Sequence, residues 1–143
     1  MRLRKWLLWG LGGTVLLLLA IQFVPYGRTH ENPSVVAEPA WDSPATRDLA
    51  VRACYDCHSN ETVWPWYSNV APMAWFIQHD VDEGRARLNF SDWSPRAGEE
   101  AAEVVREGEM PPAYYTWMHS SARFSNDEQA ELARGLQATV AGS

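Results

Sequence analysis

The hydrophobic pattern separates an apolar N-terminal run from a longer segment of mixed character. Nineteen residues from Trp6 to Val24 carry no charge, and Gln22 is the only strongly polar one among them. A helix of this length crosses the hydrocarbon core of a bilayer. Three basic residues precede the run: Arg2, Arg4 and Lys5. By the positive-inside rule the N-terminus stays in the cytoplasm and the remainder is exported.

A cleaved signal peptide is the alternative for this run. The run is longer than a usual signal core, and no good small-x-small site precedes Pro25, which favours an uncleaved anchor. The pattern therefore predicts a single-pass membrane protein whose remaining chain is exported. The predicted divisions are an anchor at 1–25, an extended Pro-rich linker at 26–42 and one domain at 43–143.

Caps, prolines and helical spacing of apolar positions predict about four helices in that domain. They cover approximately residues 44–58, 72–88, 95–108 and 126–140, the last opened by a Ser125–Glu128 capping box. The segment 109–124 is predicted to be a loop, because Pro111 and Pro112 forbid a helix there. No alternating strand pattern is present, so the predicted fold class is all-α with long Pro-rich loops.

Charge narrows the choice of partner. The chain carries a formal charge of −6, but beyond Val24 nine arginines face eighteen acidic residues, a formal charge of −9. Such a domain repels phosphates, which excludes nucleic acid and favours a basic protein partner. The eight tryptophans suit either the walls of a flat cofactor or an ordinary core, and composition does not choose between them.

The candidate chemistry lies in "CYDCH", where Cys54, Cys57 and His58 form a C-x-x-C-H string. This is the attachment signature of c-type haem: one helical turn spaces two sulfurs for the two vinyl groups, and the histidine follows to bind iron. Zinc needs four ligands and finds no second pair of cysteines here. A disulfide or a redox dithiol remains an alternative, since the domain is predicted to be exported.

The sixth iron ligand is predicted to be Met110, in the proline-stiffened stretch "GEMPPAYY" before the final helix. This order of elements resembles small single-haem cytochromes c, in which a methionine is the distal ligand and the first and last helices cross. An open iron is one alternative. Other side chains remain candidates: Met73, Met118, His79 and His119.

Four further residues are candidates for the haem pocket. Trp64, Trp66 and Tyr67 follow the attachment string closely enough to line it, and the Arg85 guanidinium is a possible donor to a propionate. For Arg85 a surface ion pair with an acidic neighbour is the competing interpretation, with Asp82 or Glu83 as the partner.

Three stretches together resemble one family: "CYDCHSNETVWPWYSNVAP", "HDVDEGRARLNFSDW" and "GEMPPAYY". They are similar to the haem-binding domain family, short bacterial proteins that are membrane-anchored or exported and carry one C-x-x-C-H. The resemblance covers about Leu49 to Leu136. It implies one covalent haem c on Cys54 and Cys57, with His58 and Met110 as axial ligands, an envelope location and a role in electron transfer.

Three functions are compatible with these features. A tethered electron carrier needs both axial positions filled by protein, and it would not be an enzyme. An open-iron sensor or peroxidase needs a vacant position. A fixed subunit of a larger respiratory complex would pack its anchor against another membrane helix, for which the anchor offers small residues: Gly10, Gly12 and Gly13. The sequence does not name the redox partners.

Overall fold

The computed structural model describes residues 2–143 and divides them into two compact units. Unit 1 combines residues 2–30 with Trp64–Asp80. Unit 2 combines Glu31–Val63 with Val81–Ser143 and contains both cysteines. The boundaries of the predicted anchor, linker and domain remain predictions.

Residues 2–143 form seven α-helices and no β-strand, which confirms the predicted all-α fold class. The α-helices are α1 (Arg2–Ile21), α2 (Pro44–Ala53), α3 (Tyr55–His58), α4 (Met73–Arg87), α5 (Pro95–Glu107), α6 (Ala113–Met118) and α7 (Asn126–Ala141). Two short 3₁₀ helices lie at Trp66–Asn69 and Ser120–Ala122.

Helix ends lie where the sequence carries capping chemistry. The Ser43 side chain accepts a hydrogen bond from the Thr46 N–H at the start of α2. Ser125 and Glu128 form both halves of the predicted capping box of α7. Gly108 ends α5 in the left-handed conformation, with a φ of 77°, which glycine adopts without a steric penalty.

The first predicted helix is interrupted at Cys54. Its N–H donates to the Ala50 carbonyl at 2.8 Å and closes α2. With φ at −119° and ψ at −34°, Cys54 also serves as the N-terminal cap of α3. The helix predicted over 44–58 is therefore two helices, divided at the first cysteine.

The prediction of a loop over 109–124 is wrong from Ala113 onward, where α6 begins. Pro111 and Pro112 both precede the first helical residue, and Pro112 is the N-terminal cap of α6. The first turn of a helix leaves its N–H groups without intrahelical acceptors, so proline costs little there. The two prolines thus introduce a helix instead of preventing one.

The hydrophobic core of unit 2 lies between α2, α5 and α7, with Tyr55, Leu88 and Phe90 completing it. The first and last of these helices approach closely, as a cytochrome-like order of elements predicts. A Cβ at Gly135 of α7 would overlap the Thr46 side chain of α2. Gly135 therefore permits the close packing of α2 on α7.

The residues of the predicted linker are extended but bound. In unit 2, the backbone N–H of Ala37 donates to the Ser91 carbonyl at 3.1 Å. The Glu38 carboxylate accepts from the Tyr55 hydroxyl at 2.7 Å. Trp41 packs against the hydrophobic core. Residues 31–41 are therefore a strap along unit 2.

Unit 1 begins with α1, whose residues are almost all exposed. Of the helices in residues 2–143, α1 alone is long and apolar enough to span a membrane, and an N-terminal signal sequence has the same features. Just after α1, the Gln22 amide bonds both backbone groups of Ala71: Nε2 donates to its carbonyl at 2.9 Å and Oε1 accepts from its N–H at 3.0 Å. The segment from Trp64 to Asp80 is therefore attached at the end of α1.

His30, within the predicted linker, packs within unit 1. Its ring stacks on Trp64 with centroids 4.6 Å apart. Its Nε2 lies 3.1 Å from the Ser68 carbonyl oxygen. Gly27, with a φ of 79°, lies so close to α4 that a Cβ would overlap the Ala74 carbonyl. Residues 27–30 are therefore part of the fold of unit 1.

Candidate functional site

The C-x-x-C-H string forms a single tight turn. The N–H groups of Cys57 and His58 both donate to the Cys54 carbonyl, at 3.2 and 2.8 Å. No disulfide joins Cys54 and Cys57, and both side chains are partly buried. The turn therefore presents two thiols one helical turn apart, with the imidazole of His58 following directly.

The His58 ring is oriented by the backbone of α4 and the residue after it. Its Nδ1 lies 2.9 Å from the Gly84 carbonyl oxygen and 3.1 Å from that of Leu88. Both partners are acceptors, so Nδ1 carries the hydrogen and Nε2 keeps a lone pair. Histidines that bind metals commonly have one nitrogen held in this way while the other binds.

The ionisation of the turn follows its burial. Burial lowers the pKa of His58, and the two carbonyl hydrogen bonds oppose this effect without cancelling it. The imidazole is therefore neutral at pH 7, the form that binds a metal. Burial, helped by the neighbouring Cys57, raises the pKa of the Cys54 thiol to about 12. Cys54 is accordingly a protonated thiol rather than a reactive thiolate at neutral pH.

The close approach of α4 depends on Gly84. A Cβ at this position would overlap the backbone carbonyl of Cys57, and backbone does not move aside as a flexible side chain does. The missing side chain lets the carbonyls of Gly84 and Leu88 reach the imidazole. On the other side of the turn, the Phe90 N–H donates to the His58 carbonyl at 2.8 Å.

Arg85 ties the segment after His58 to the strap. Its Nε donates to the Ser59 carbonyl at 2.8 Å and its Nη1 to the Glu31 carbonyl at 2.9 Å. Its Nη2 donates to Asn32 Oδ1 and to Thr62 Oγ1, both at 3.0 Å. Four protein acceptors thus surround the guanidinium, and the propionate contact remains a prediction.

The ion pair of Arg85 with Asp82 or Glu83, which the sequence offers as the competing interpretation, is not formed. No salt bridge of Arg85 shorter than 4.0 Å is found among residues 2–143, and Glu83 lies instead 3.6 Å from Arg87. Burial lowers the pKa of Arg85, and the charge of Asp82 acts against that shift. Asp82 therefore influences Arg85 through space.

Sequence reasoning missed the contact that joins the cysteine turn to α6. The Tyr115 hydroxyl donates to Asp56 Oδ2 at 2.7 Å, and Asp56 Oδ1 accepts from the Val63 N–H at 3.1 Å. Burial and the Asp56 carboxylate both raise the pKa of Tyr115. The only signal in the sequence is an acidic residue between the two cysteines. Its partner lies 59 residues away, and spacing does not reveal it.

Met110 is half-buried and packs against the same hydrophobic core as Cys54. Its N–H donates to the Val104 carbonyl at 3.4 Å, a long bond. Among the alternative iron ligands in unit 2, His119 stacks on Tyr115 with centroids 4.1 Å apart and Met118 is 49% exposed. Met73 and His79 belong to unit 1. The role of Met110 as ligand remains a prediction.

The aromatic residues predicted to line the pocket all belong to unit 1. Trp64 stacks on His30. Trp66 is 80% exposed and meets Tyr67 edge to face, with centroids 5.7 Å apart. Their role as haem walls remains a prediction.

The donor set suits haem better than a metal ion held by protein alone. Within residues 2–143, no group of three or more His, Cys, Asp or Glu side chains is arranged to hold a metal ion. Two thiols one turn apart, followed by an imidazole whose Nε2 has a lone pair, match the needs of a covalently attached haem. The residues present therefore fit the group.

Comparison with known proteins agrees with this donor set. Neither the curated proteins nor the solved structures include a match to the chain. The family model described as "Haem-binding domain" matches residues 16–138, from within α1 to within α7. This match covers most of the 143 residues and extends beyond the cysteine turn to both units. The chain belongs to the haem-binding domain family.

Proposed function

We propose that the protein is a membrane-anchored c-type cytochrome with one haem, which carries electrons at the outer side of a bacterial inner membrane. The observation that carries the proposal is the orientation of His58. Two carbonyls hold its Nδ1, and Nε2 of a neutral imidazole is thereby left to bind iron from the proximal side. No substrate-binding group is required for this role.

In this proposal, Cys54 and Cys57 hold the haem through thioether bonds. The tight turn Cys54–His58 spaces their sulfurs and delivers the histidine on the same side. Haem, when bound, supplies an iron that accepts and releases one electron. Covalent attachment suits a small unit whose core is built largely from alanine and leucine, because retention of the cofactor then does not depend on a deep pocket.

Met110 is proposed as the distal ligand. It is half-buried against the core that also contacts Cys54, and the segment that contains it is joined to the cysteine turn by the Tyr115–Asp56 hydrogen bond. A thioether ligand favours the reduced iron and raises the reduction potential. With both axial positions filled by His58 and Met110, the protein would exclude substrates from iron and pass electrons only.

The proposed location is supported by α1 and the residues around it. The contacts of Gln22 and Gly27 make the chain directly after α1 part of unit 1, which supports an uncleaved anchor. The basic residues before Trp6 support a cytoplasmic N-terminus. Unit 2, with eight arginines against 17 acidic residues, would be steered toward a basic surface of its redox partner, with association rates that fall as salt rises.

The first test is the ferric absorption spectrum of the full chain, matured in a host that attaches haem c. We expect the weak far-red band of methionine sulfur bound to iron. Met110→Ala should abolish this band, whereas Met118→Ala, at an exposed position eight residues later, should keep it. If the parent lacks the band and its reduced form binds carbon monoxide readily, the carrier proposal is wrong and an open iron is indicated.

A second test concerns the covalent bonds. Haem should stay with the parent polypeptide in a denaturing gel, and the intact mass should exceed that of the polypeptide by one haem. The double variant Cys54→Ser with Cys57→Ser should lose both signals. Haem that dissociates from the denatured parent would contradict the c-type attachment.

A further inference from the structure

We infer that unit 1 rests on the lipid surface at the outer end of α1, with exposed apolar side chains inserted among the headgroups. This surface, called here the lipid-facing surface, consists of exposed apolar residues of unit 1: Phe23, Val24, Tyr26, Trp66, Val70 and Phe76. The inference rests on the proposed membrane anchor and extends it, because it assigns lipid contact to a segment 45 to 55 residues beyond α1.

The attachment of Ala71 to Gln22 determines the level of this segment. Gln22 lies one residue beyond α1, and its amide satisfies both backbone groups of Ala71. A second contact lies nearby, where Gly27 meets the Ala74 carbonyl without an intervening side chain. Val70, beside Ala71, is therefore at the level of the outer end of the anchor. That is the level of the headgroups if α1 spans the bilayer.

The exposed side chains have the chemistry of an interface. Phe23 is 88% exposed, Trp66 80%, and Val70 and Phe76 46% each. Tryptophan and tyrosine are enriched at the membrane–water boundary, since an apolar ring and a polar N–H or O–H prefer different sides of it. Large apolar groups in water are unfavourable unless something covers them. In this inference, lipid at the end of α1 shields these apolar side chains from water.

The formal charges of the two units allow unit 1, but not unit 2, to approach an anionic lipid surface. In unit 1, the residues outside α1 include one arginine and one acidic residue, Arg28 and Asp80, for a formal charge of zero. Unit 2 carries a formal charge of −9 from eight arginines and 17 acidic residues. Anionic lipids repel an acidic surface but not a neutral one. The division of charge thus leaves unit 1 as the part that can approach the bilayer.

The test uses the full haem-loaded chain in nanodiscs that contain phosphatidylcholine and phosphatidylglycerol and only one copy of the protein. In that form Cys54 and Cys57 are consumed by thioethers, so an introduced cysteine is the single thiol. Nitroxide labels are placed at Val70→Cys and at Phe76→Cys. The control is Ala138→Cys, an exposed position on α7 in the acidic unit 2. Collision with oxygen, which concentrates in lipid, is compared with collision with a water-soluble nickel chelate.

We expect labels at 70 and 76 to collide more with oxygen than with the chelate, and the label at 138 to show the reverse. Labels at 70 and 76 that are as accessible to the chelate as the control would overturn the inference. So would spin-exchange broadening between labelled copies in discs loaded with two, because it requires direct contact and a second copy would then cover the surface. A haem spectrum like that of the parent verifies that each labelled variant is folded.

The anchor is tested separately by co-elution of the chain with the discs. A chain that does not co-elute disproves the anchor, and with it this inference. A chain that co-elutes, but whose labels at 70 and 76 are as accessible to the chelate as the control, disproves the lipid contact alone and leaves the anchor intact. Loss of the far-red band in the Met110→Ala variant bears on the electron-carrier proposal and changes neither result.

Discussion

The two sides of the proposed iron site, both within unit 2, are built differently. On the His58 side, backbone carbonyls of Gly84 and Leu88 hold the ring. On the other side, Met110, the proposed ligand, is held by apolar packing and by a backbone hydrogen bond of 3.4 Å to the Val104 carbonyl. A hydrogen bond from Tyr115, further along the chain, joins its segment to Asp56. The first side is set by main-chain carbonyls, whereas the second depends mostly on side-chain contacts.

This difference predicts that substitutions on the two sides have different consequences. A backbone carbonyl cannot be removed by substitution. A change that displaces it from His58 should therefore lower both the stability of the fold and the yield of haem-loaded protein. Side-chain contacts can be altered one at a time, so the Met110 side should change its spectrum or its potential while the fold persists. Substitutions on each side test this contrast.

The largest effect is expected from Gly84→Ala. The added Cβ would overlap the Cys57 carbonyl and push α4 away from His58, at a cost of about 3 kcal/mol in the free energy of unfolding. Chemical denaturation and the yield of haem-loaded protein measure both consequences. The matched control is Gly142→Ala, whose Cβ would meet only ordinary contacts at 3.6 and 3.8 Å. Equal stability of the two variants would contradict the main-chain account of the His58 side.

Arg85→Gln is expected to destabilise the protein by about 2 kcal/mol, because the part-buried acceptors on Ser59 and Thr62 lose charged donors, as do the exposed acceptors on Glu31 and Asn32. Arg85→Lys should recover little of this, since an ammonium does not reproduce the planar arrangement of donors. Arg87→Gln, two residues along the same helix, serves as the control. Its side chain is 79% exposed in an ion pair with Glu83, and its loss should change stability by less than about 0.5 kcal/mol.

Tyr115→Phe tests the Met110 side. It removes one hydrogen bond to Asp56, at a cost of about 1 kcal/mol. Haem should remain attached while the far-red sulfur–iron band weakens, because the segment that contains Met110 is less firmly held. Trp117→Phe, at a 78% exposed position of the same helix, should leave the band unchanged. If Tyr115→Phe lost haem and stability as fully as Gly84→Ala, the two sides would not differ as described.

The smallest effect expected is the pH dependence of the stability that Glu38 contributes through its contact with Tyr55 of the cysteine turn. Burial raises the pKa of Glu38, but hydrogen bonds from Tyr55, Arg47 and Trp41 outweigh it and leave the pKa below its ordinary value of 4.5. A carboxylate with a lowered pKa stabilises the folded state above its unfolded pKa, and this stabilisation is lost as pH falls through the folded pKa. Glu38 is about one-third exposed, so the effect should stay below about 1 kcal/mol.

Urea unfolding at pH 7 and pH 3.5 measures this contribution. Glu38→Gln should be slightly less stable than the parent at pH 7 and close to it at pH 3.5. A difference that grows toward acid would reverse the sign and contradict the assignment. The sulfur–iron band should be the same in both proteins at pH 7, because Glu38 contacts the strap and the cysteine turn rather than the Met110 segment.

The fold was predictable where local chemistry decides it. Ser43, Gly108 and the Ser125–Glu128 box mark helix ends through contacts within a few residues, and the structure confirms them. The break at Cys54 was not predictable, because it depends on tertiary packing of the turn. The sequence does not predict α6, because two successive prolines argue against a helix that contains them but not against one that they precede.

The candidate site was likewise predictable only where it depends on residues close together in the sequence. The C-x-x-C-H string is local, and the sequence identified its family, which the match confirms. The contacts that orient the string come from distant residues: Gly84 and Leu88 lie 26 and 30 positions from His58, and Tyr115 lies 59 from Asp56. Such contacts depend on how helices pack. Nothing in the sequence around Gly84 indicates that its carbonyl accepts a hydrogen bond from His58.

The packing of α2 on α7 also sets an order of events during synthesis. The core needs Leu132 and Leu136, which follow Cys54 by 78 and 82 residues. A chain that emerges N-terminus first therefore delivers its cysteines long before the helix that covers α2 is made. During that interval the thiols remain accessible on an unclosed chain. In the proposed c-type cytochrome, the late position of α7 would thus provide a time window in which an attachment enzyme reaches both sulfurs before folding encloses them.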